Sequence, residues 1–146
     1  MNEERVLQLA HQAHVAEKRA DFAGQLLKGL GLFGADLHQS DFQGAVMAEI
    51  NLSRADLSGA NLSNADLRQA FLFQANLSDA NLSHANLFQA NLVEANLQNA
   101  DLRGARLDDV DMDQSNIEGA QFDGAHYTSG TRWPLGFDPK AAGAVS

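Results

Sequence analysis

A five-residue period constrains this chain more than any other feature. From Ala55 the sequence reads ADLSG, ANLSN and ADLRQ, and from Ala75 to Asn99 it reads ANLSD, ANLSH, ANLFQ, ANLVE and ANLQN. Extended in both directions, the third position of the unit runs from Phe22 to Tyr127, and all 22 such positions are apolar or aromatic. The first position of the unit is Ala in 16 of the 22, with Gln25, Leu30, Ser40, Ile50, Val110 and Ser115 as the departures. The period accounts for a composition of 24 Ala and 20 Leu against one Trp and one Tyr.

Apolar residues separated alternately by two and three positions sweep around a 3.6-residue turn, so residues 20–129 cannot form an amphipathic helix. In extended chain the first and third residues of a unit point to one side and the second to the other. The fourth and fifth positions are rich in Ser, Gly, Asn, Asp and Gln, which form corners. Each unit is therefore expected to be a short strand followed by a turn in a constant sense. Asn and Asp at the second position, as in Asp56, Asn61, Asp66 and Asn76 to Asn96, can form hydrogen-bond ladders on the outside.

The run of A(D/N)LXX units resembles the pentapeptide repeat proteins. The resemblance spans roughly residues 20–129 and implies an all-β solenoid, a right-handed quadrilateral β-helix with four units per coil. Twenty-two units would then give about five and a half coils and, at about 4.8 Å per layer, a column roughly 26 Å tall. Leu37, Leu57, Leu77, Leu97 and Ile117 would form one interior ladder, and Phe42, Leu62, Leu82, Leu102 and Phe122 the next.

A column of stacked coils must cover its ends. Residues 1–19 are expected to hold a capping α-helix over 3–19, with Val6, Leu9, Ala10, Ala13 and Ala16 near one face and Glu3 and Glu4 at its start. Residues 20–34 are degenerate first units, carrying Gln25 and Leu30 at small-residue positions and Gly24, Gly29, Gly31 and Gly34. The alternative is a helix continuing to about Lys28, with the column beginning near Ala35. After Tyr127 the period fails. Residues 130–146 are expected to be an irregular C-terminal cap, in which Pro134 and Pro139 oppose ladder pairing and Trp133, Leu135 and Phe137 cover the last coil. The segment TRWPLGFDP also resembles the ending of many bacterial members of the family, cyanobacterial ones in particular.

Nineteen acidic residues against ten basic ones give a net charge of −9, which argues against a basic nucleic-acid groove or an anionic membrane as partner. There is no cysteine, hence no disulfide, thiolate chemistry or sulfur-built zinc site. The N-terminal residues lack the basic, apolar and small-residue regions of a signal peptide, so the expected compartment is the cytoplasm.

The side chains best suited to metal binding or proton transfer are the five histidines, His11, His14, His38, His84 and His126. His11 and His14 have the helical spacing of metal ligands but no third ligand in sequence, and a solvated pair is the expectation. No nucleophile, base and oxyanion donors converge, so neither catalytic residues nor cofactors are expected. Two surfaces stand out. Phe71, Phe73, Phe88 and Val93 are outward apolar residues on one side and its neighbour, expected to contact a protein partner or a second copy unless a terminal segment folds over them. Asp101, Asp108, Asp109, Asp111, Asp113, Glu118 and Asp123 gather late and are expected to be a solvated acidic end. The sharper use of that acidity follows from the resemblance, because some family members mimic a DNA duplex and bind gyrase or related topoisomerases, protecting them from quinolones. The leading expectation is a nonenzymatic, rigid interaction scaffold of unknown partner, with DNA mimicry second and a metal protein or enzyme third.

Overall fold

The structure, a computed structural model, describes residues 1–16 and 18–146. Parallel β-bridges join second-position residues twenty apart, from Asp21↔Asp41 and Leu26↔Val46 to Arg106↔His126. Each unit carries one bridge and one turn, so four units close a coil and the coils stack into a four-sided column.

The hydrogen bonds of Ala55–Gly59 show why the motif has its form. The Asp56 N–H donates to Ala35 in the coil before (2.9 Å), while those of Leu57 and Gly59 donate to Asn76 and Ser78 in the coil after (both 2.8 Å). The Ala55 N–H closes the preceding corner onto the Leu52 carbonyl at 3.0 Å. Only the fourth residue has no backbone acceptor, and the Asp56 carboxylate supplies one, taking the Ser58 N–H at 2.9 Å. The short polar residue at the second position thus completes the backbone accounting that any tightly wound chain must satisfy. The same Asn and Asp side chains continue upward: Asn76 donates to Asp56 at 3.1 Å, Asn96 to Asn76 at 3.1 Å and Asn116 to Asn96 at 3.2 Å. The fifth residue turns the corner in the left-handed region, for example Gly59 at φ 63° and His84 at φ 58°. That conformation explains the Gly, Asn and Asp found at this position.

Inside, the third-position side chains from Phe22 to Met112 and the Ala beside them form one continuous dry core. Ala suits the first position because four large side chains per layer leave little space beside them, although the column accommodates Ile50 and Val110 there, both fully buried. Phe22 and Phe42 stack at 5.0 Å near the first coil.

The bridges at Asp21, Leu26 and Gly31 begin the column at its degenerate units. The alternative of a helix running to Lys28 is thereby excluded. Helix α1 spans Glu3–Val15, with the Asn2 side chain accepting from the Arg5 N–H. It is shorter than the expected 3–19, and Glu17 lies outside the described residues. Its apolar face buries Val6 and Ala10 against the first coil, with Leu9 and Ala13 packed alongside, whereas Ala16 is exposed. A further tie is the Glu3 carboxylate, which accepts the Gly31 N–H at 2.7 Å. Gly31 suits this contact because a Cβ there would stand 3.1 Å from Glu3 Oε1.

At the other end, Arg132 and Val145 still bridge to Asp111 and His126, at separations of 21 and 19 residues in place of twenty. Between them Trp133 and Phe137 close over Phe122, both at 5.3 Å, and Trp133 lies edge-on to Tyr127 at 5.6 Å. Leu135 does not take part. It is fully exposed, because it sits in the turn that carries the chain from Trp133 to Phe137. No helix among the described residues is long and apolar enough to cross a membrane.

Candidate functional site

The four sides of the column are chemically unequal. Reading outward positions twenty apart, the side through 21, 41, 61, 81, 101 and 121 and the one through 36, 56, 76, 96 and 116 present mostly Asp, Asn, Ser, Gln and Gly. The two sides between them carry the large outward apolar residues: Leu26, Val46 and Phe88 on one, and Phe33, Phe71, Phe73 and Val93 on the other. Phe73 and Val93 lie in successive layers, their carbonyls accepting from Arg54 at 2.8 Å and Gln74 at 3.1 Å respectively. Phe71 is 52% exposed and Phe33 59%, so neither α1 nor the tail folds over these two, whereas Phe73, Phe88 and Val93 are half-buried on the column surface. Leu26 and Phe33, which the sequence reading passed over, extend the patch. They were hidden in the degenerate first units, where their register was in question.

Cations frame these aromatics. The Arg54 guanidinium sits 5.7 Å from the Phe33 ring centroid and that of Arg106 5.1 Å from Phe88. Arg68 pairs with Asp66 at 2.7 Å and Lys28 with Glu49 at 3.0 Å, so the patch is locally charge-balanced despite the net charge of −9. Phe88, Lys28, Ala48 and Arg68 also line a shallow depression.

Of the seven late acidic residues Asp108 is buried, Asp101, Asp111 and Asp113 are half-buried, and Asp109, Glu118 and Asp123 are exposed. Asp101 binds Arg103 at 2.7 Å, and Arg132 reaches both Asp111 at 2.8 Å and Asp113 at 3.7 Å. Asp109 accepts from the Thr128 hydroxyl at 2.8 Å. Asp108 is buried, held by the Arg106 guanidinium and by His126 Nδ1 at 2.7 Å. Among the described residues, Glu118 and Asp123 are exposed without an ion pair. The seven also fall on all four sides, encircling the end of the column instead of running along it.

These pairs set the response to acid. The hydrogen bonds from Arg68 and Arg103 hold the Asp66 and Asp101 carboxyls below the usual carboxylate range. Burial pushes Asp108 up, but the hydrogen bonds from Arg106 and His126 outweigh it and its value is also lowered. A carboxyl whose value falls on folding adds stability above the unfolded value of about 4 and loses it as pH drops through the folded one. Denaturant unfolding should therefore give lower stability at pH 3 than at pH 6, and the difference should shrink in Asp108→Asn. An unchanged difference would show that Asp108 is not coupled to folding.

The histidines fall differently from their sequence pairing. His11 is exposed and has no hydrogen bond to His14 among the described residues. His14 instead meets His38 on the first coil, Nδ1 to Nε2 at 3.4 Å, with the rings at 80°. Asp36 Oδ1 lies 2.5 Å from His38 Nδ1. The unit Ala35–Gln39 placed Asp36 and His38 on one side in the sequence, but nothing in the period shows that α1 crosses that side.

A stacked, four-sided column with a dry Leu/Ala core and outward polar ladders defines a class of solenoid repeat protein. The chain matches the family profile of Pentapeptide repeats in 8 copies, over residues 32–69, 55–92, 75–114 and 90–126. It belongs to the pentapeptide repeat family, whose members form right-handed quadrilateral β-helices. Among solved structures it is similar to HetL, a protein involved in heterocyst differentiation regulation from the cyanobacterium Nostoc sp. strain PCC 7120, at 27% identity and a TM-score of 0.79. That match covers 90% of this chain and 56% of HetL, so the chain spans a little over half of HetL's length. A pentapeptide repeat protein from the cyanobacterium Cyanothece 51142 matches at 28% identity and a TM-score of 0.73, over 87% of this chain and 99% of that one. QnrB1, a plasmid-mediated fluoroquinolone resistance protein, shares the fold at 20% identity and a TM-score of 0.57, over 78% and 68% of the two chains. No curated protein sequence matches the chain.

Proposed function

We propose that this protein is a nonenzymatic scaffold that binds another protein through the two adjacent sides carrying Leu26, Phe33, Phe71, Phe73, Phe88 and Val93. The observation that carries this reading is the asymmetry of the column, with its large outward apolar side chains on two neighbouring sides and polar ladders on the other two. A stiff, flat surface with aromatic anchors framed by Arg is what a protein contact uses, since buried aromatics and Arg contribute most of the binding energy. Local charge balance favours an occupant that offers apolar side chains with little net charge. Pairing of Asp101, Asp108, Asp111 and Asp113 with Arg103, Arg106, His126 and Arg132, and the spread of the late acids over all four sides, argue against their imitating the continuous charge of a DNA backbone.

The test compares partner capture by the wild type, a Phe73→Ser/Phe88→Ser variant and a Ser78→Arg/Gln98→Arg control on a polar side. Truncating an anchor costs about 2 kcal/mol, or roughly 30-fold in affinity. Capture of a specific protein should thus fall at least tenfold for the Phe variant and persist for the control. Equal capture by all three would overturn the assignment, as would concentration-dependent dimerisation abolished by the Phe variant, which would make the occupant a second copy. Protection of gyrase from a quinolone in a supercoiling assay would favour mimicry instead.

A further inference from the structure

We propose that His14 and His38, with Asp36 behind His38, form a divalent transition-metal site of the zinc type that clamps helix α1 to the first coil. The two facing nitrogens, His14 Nδ1 and His38 Nε2, are 3.4 Å apart. That is long for a hydrogen bond, whose usual separation is about 2.9–3.0 Å. It does match the edge of a tetrahedral zinc site, because two nitrogens at about 2.0–2.1 Å from the ion lie about 3.3–3.4 Å apart. The rings stand at 80° with centroids 5.0 Å apart, unstacked, so neither ring covers the other's nitrogen.

Asp36 selects the tautomer. With the His38 Nδ1–H donating to Asp36 Oδ1 at 2.5 Å, Nε2 is left as a lone pair directed at His14. A carboxylate behind a histidine in this way makes the imidazole a better ligand and offsets the charge of the ion. His14 lies in the last turn of α1, where the helix dipole favours positive charge.

A small cavity of about 20 Å³ adjoins these groups, lined by Ala10, Ala13 and Ala20 and rimmed by Lys18 and Gln39. It has room for a water molecule to complete the coordination of an ion held by two protein nitrogens. The ligands come from α1 and from the column, so the ion would bind the folded, docked state and not a detached helix. By linkage it should stabilise the cap.

Zinc chloride added to metal-stripped protein should raise the midpoint of thermal unfolding and give a single saturable site by calorimetry. His14→Ala and His38→Ala should each abolish both responses, with far-UV circular dichroism and the metal-free midpoint nearly unchanged because His14 is exposed and His38 partly exposed, neither packing in the core. Asp36→Asn should weaken zinc affinity 10–100-fold, and His11→Ala should bind like the wild type. Absence of binding at millimolar zinc would overturn the proposal. So would equal binding by His14→Ala and His38→Ala, or loss of binding in His11→Ala, which would place the ion on the helix surface between His11 and His14.

Discussion

Leu82→Asp should prevent folding, while Ser83→Asp one residue later should leave the thermal midpoint almost unchanged. Leu82 is fully buried in the middle of the column, between Leu62 and Leu102. Removing it forfeits about 2–5 kcal/mol of packing. The new carboxyl must also stay protonated in a dry interior, which at pH 7, about 3 units above its ordinary value and at 1.36 kcal/mol per unit, adds about 4 kcal/mol. The sum is comparable to the roughly 5–15 kcal/mol that stabilises a whole domain. Because each coil rests only on its neighbours, a break at Leu82 separates the two halves of the column and deprives each of a covered end. Ser83 points outward on the layer beneath Arg103, and Asp there should cost or gain no more than about 0.5 kcal/mol. Circular dichroism melting of both variants decides the matter. Comparable losses would mean that the inward and outward registers are not those described.

The second large effect is expected at the C-terminal cap. Trp133 packs against Phe122, Tyr127 and Phe137 with ring centroids 5.0–5.6 Å apart, over the last coil. Trp133→Ala should cost about 2–4 kcal/mol, at or just below the range for truncating a large aromatic because Trp133 is only half-buried. The indole N–H is buried without a hydrogen-bond partner among the described residues, so Trp133→Phe, which removes that group and keeps most of the ring, should cost much less. Leu135→Ser, two residues on, should be silent because Leu135 is exposed. Denaturant midpoints for the three variants test this ordering. A loss in Leu135→Ser equal to that in Trp133→Ala would show that the tail packs by a different residue.

The inward positions were legible without a structure because their rule is local. Leu82 is inside for the same reason as Leu57 and Leu107: its place in a five-residue unit sets which way it points, and neighbouring units repeat the choice. Leu135 could not be read in that way. Past Tyr127 there is no period to assign direction, and hydrophobicity alone suggested burial for a residue that sits in a turn. Asp108 failed for a related reason. As one of several late acids it looked solvated, and only the stacking of Arg106 beside it and His126 one layer above made it a buried ion-pair partner.

The sequence by itself determined the five-residue unit, the core residues, the corners and the outward direction of Phe71, Phe73, Phe88 and Val93, while the coil of four units was implied only by the family resemblance. All but the last follow from contacts within a unit or between units at a constant separation. Only the tertiary structure decided where α1 lies, that the column begins at residue 20, which carboxylates are neutralised, and that His14 faces His38 and Asp36. These depend on how the two irregular ends fold back onto the regular column, at separations of 18 to 28 residues that no period encodes. A repeat fixes its own interior through identical nearest neighbours, whereas its ends meet surfaces that occur once in the chain.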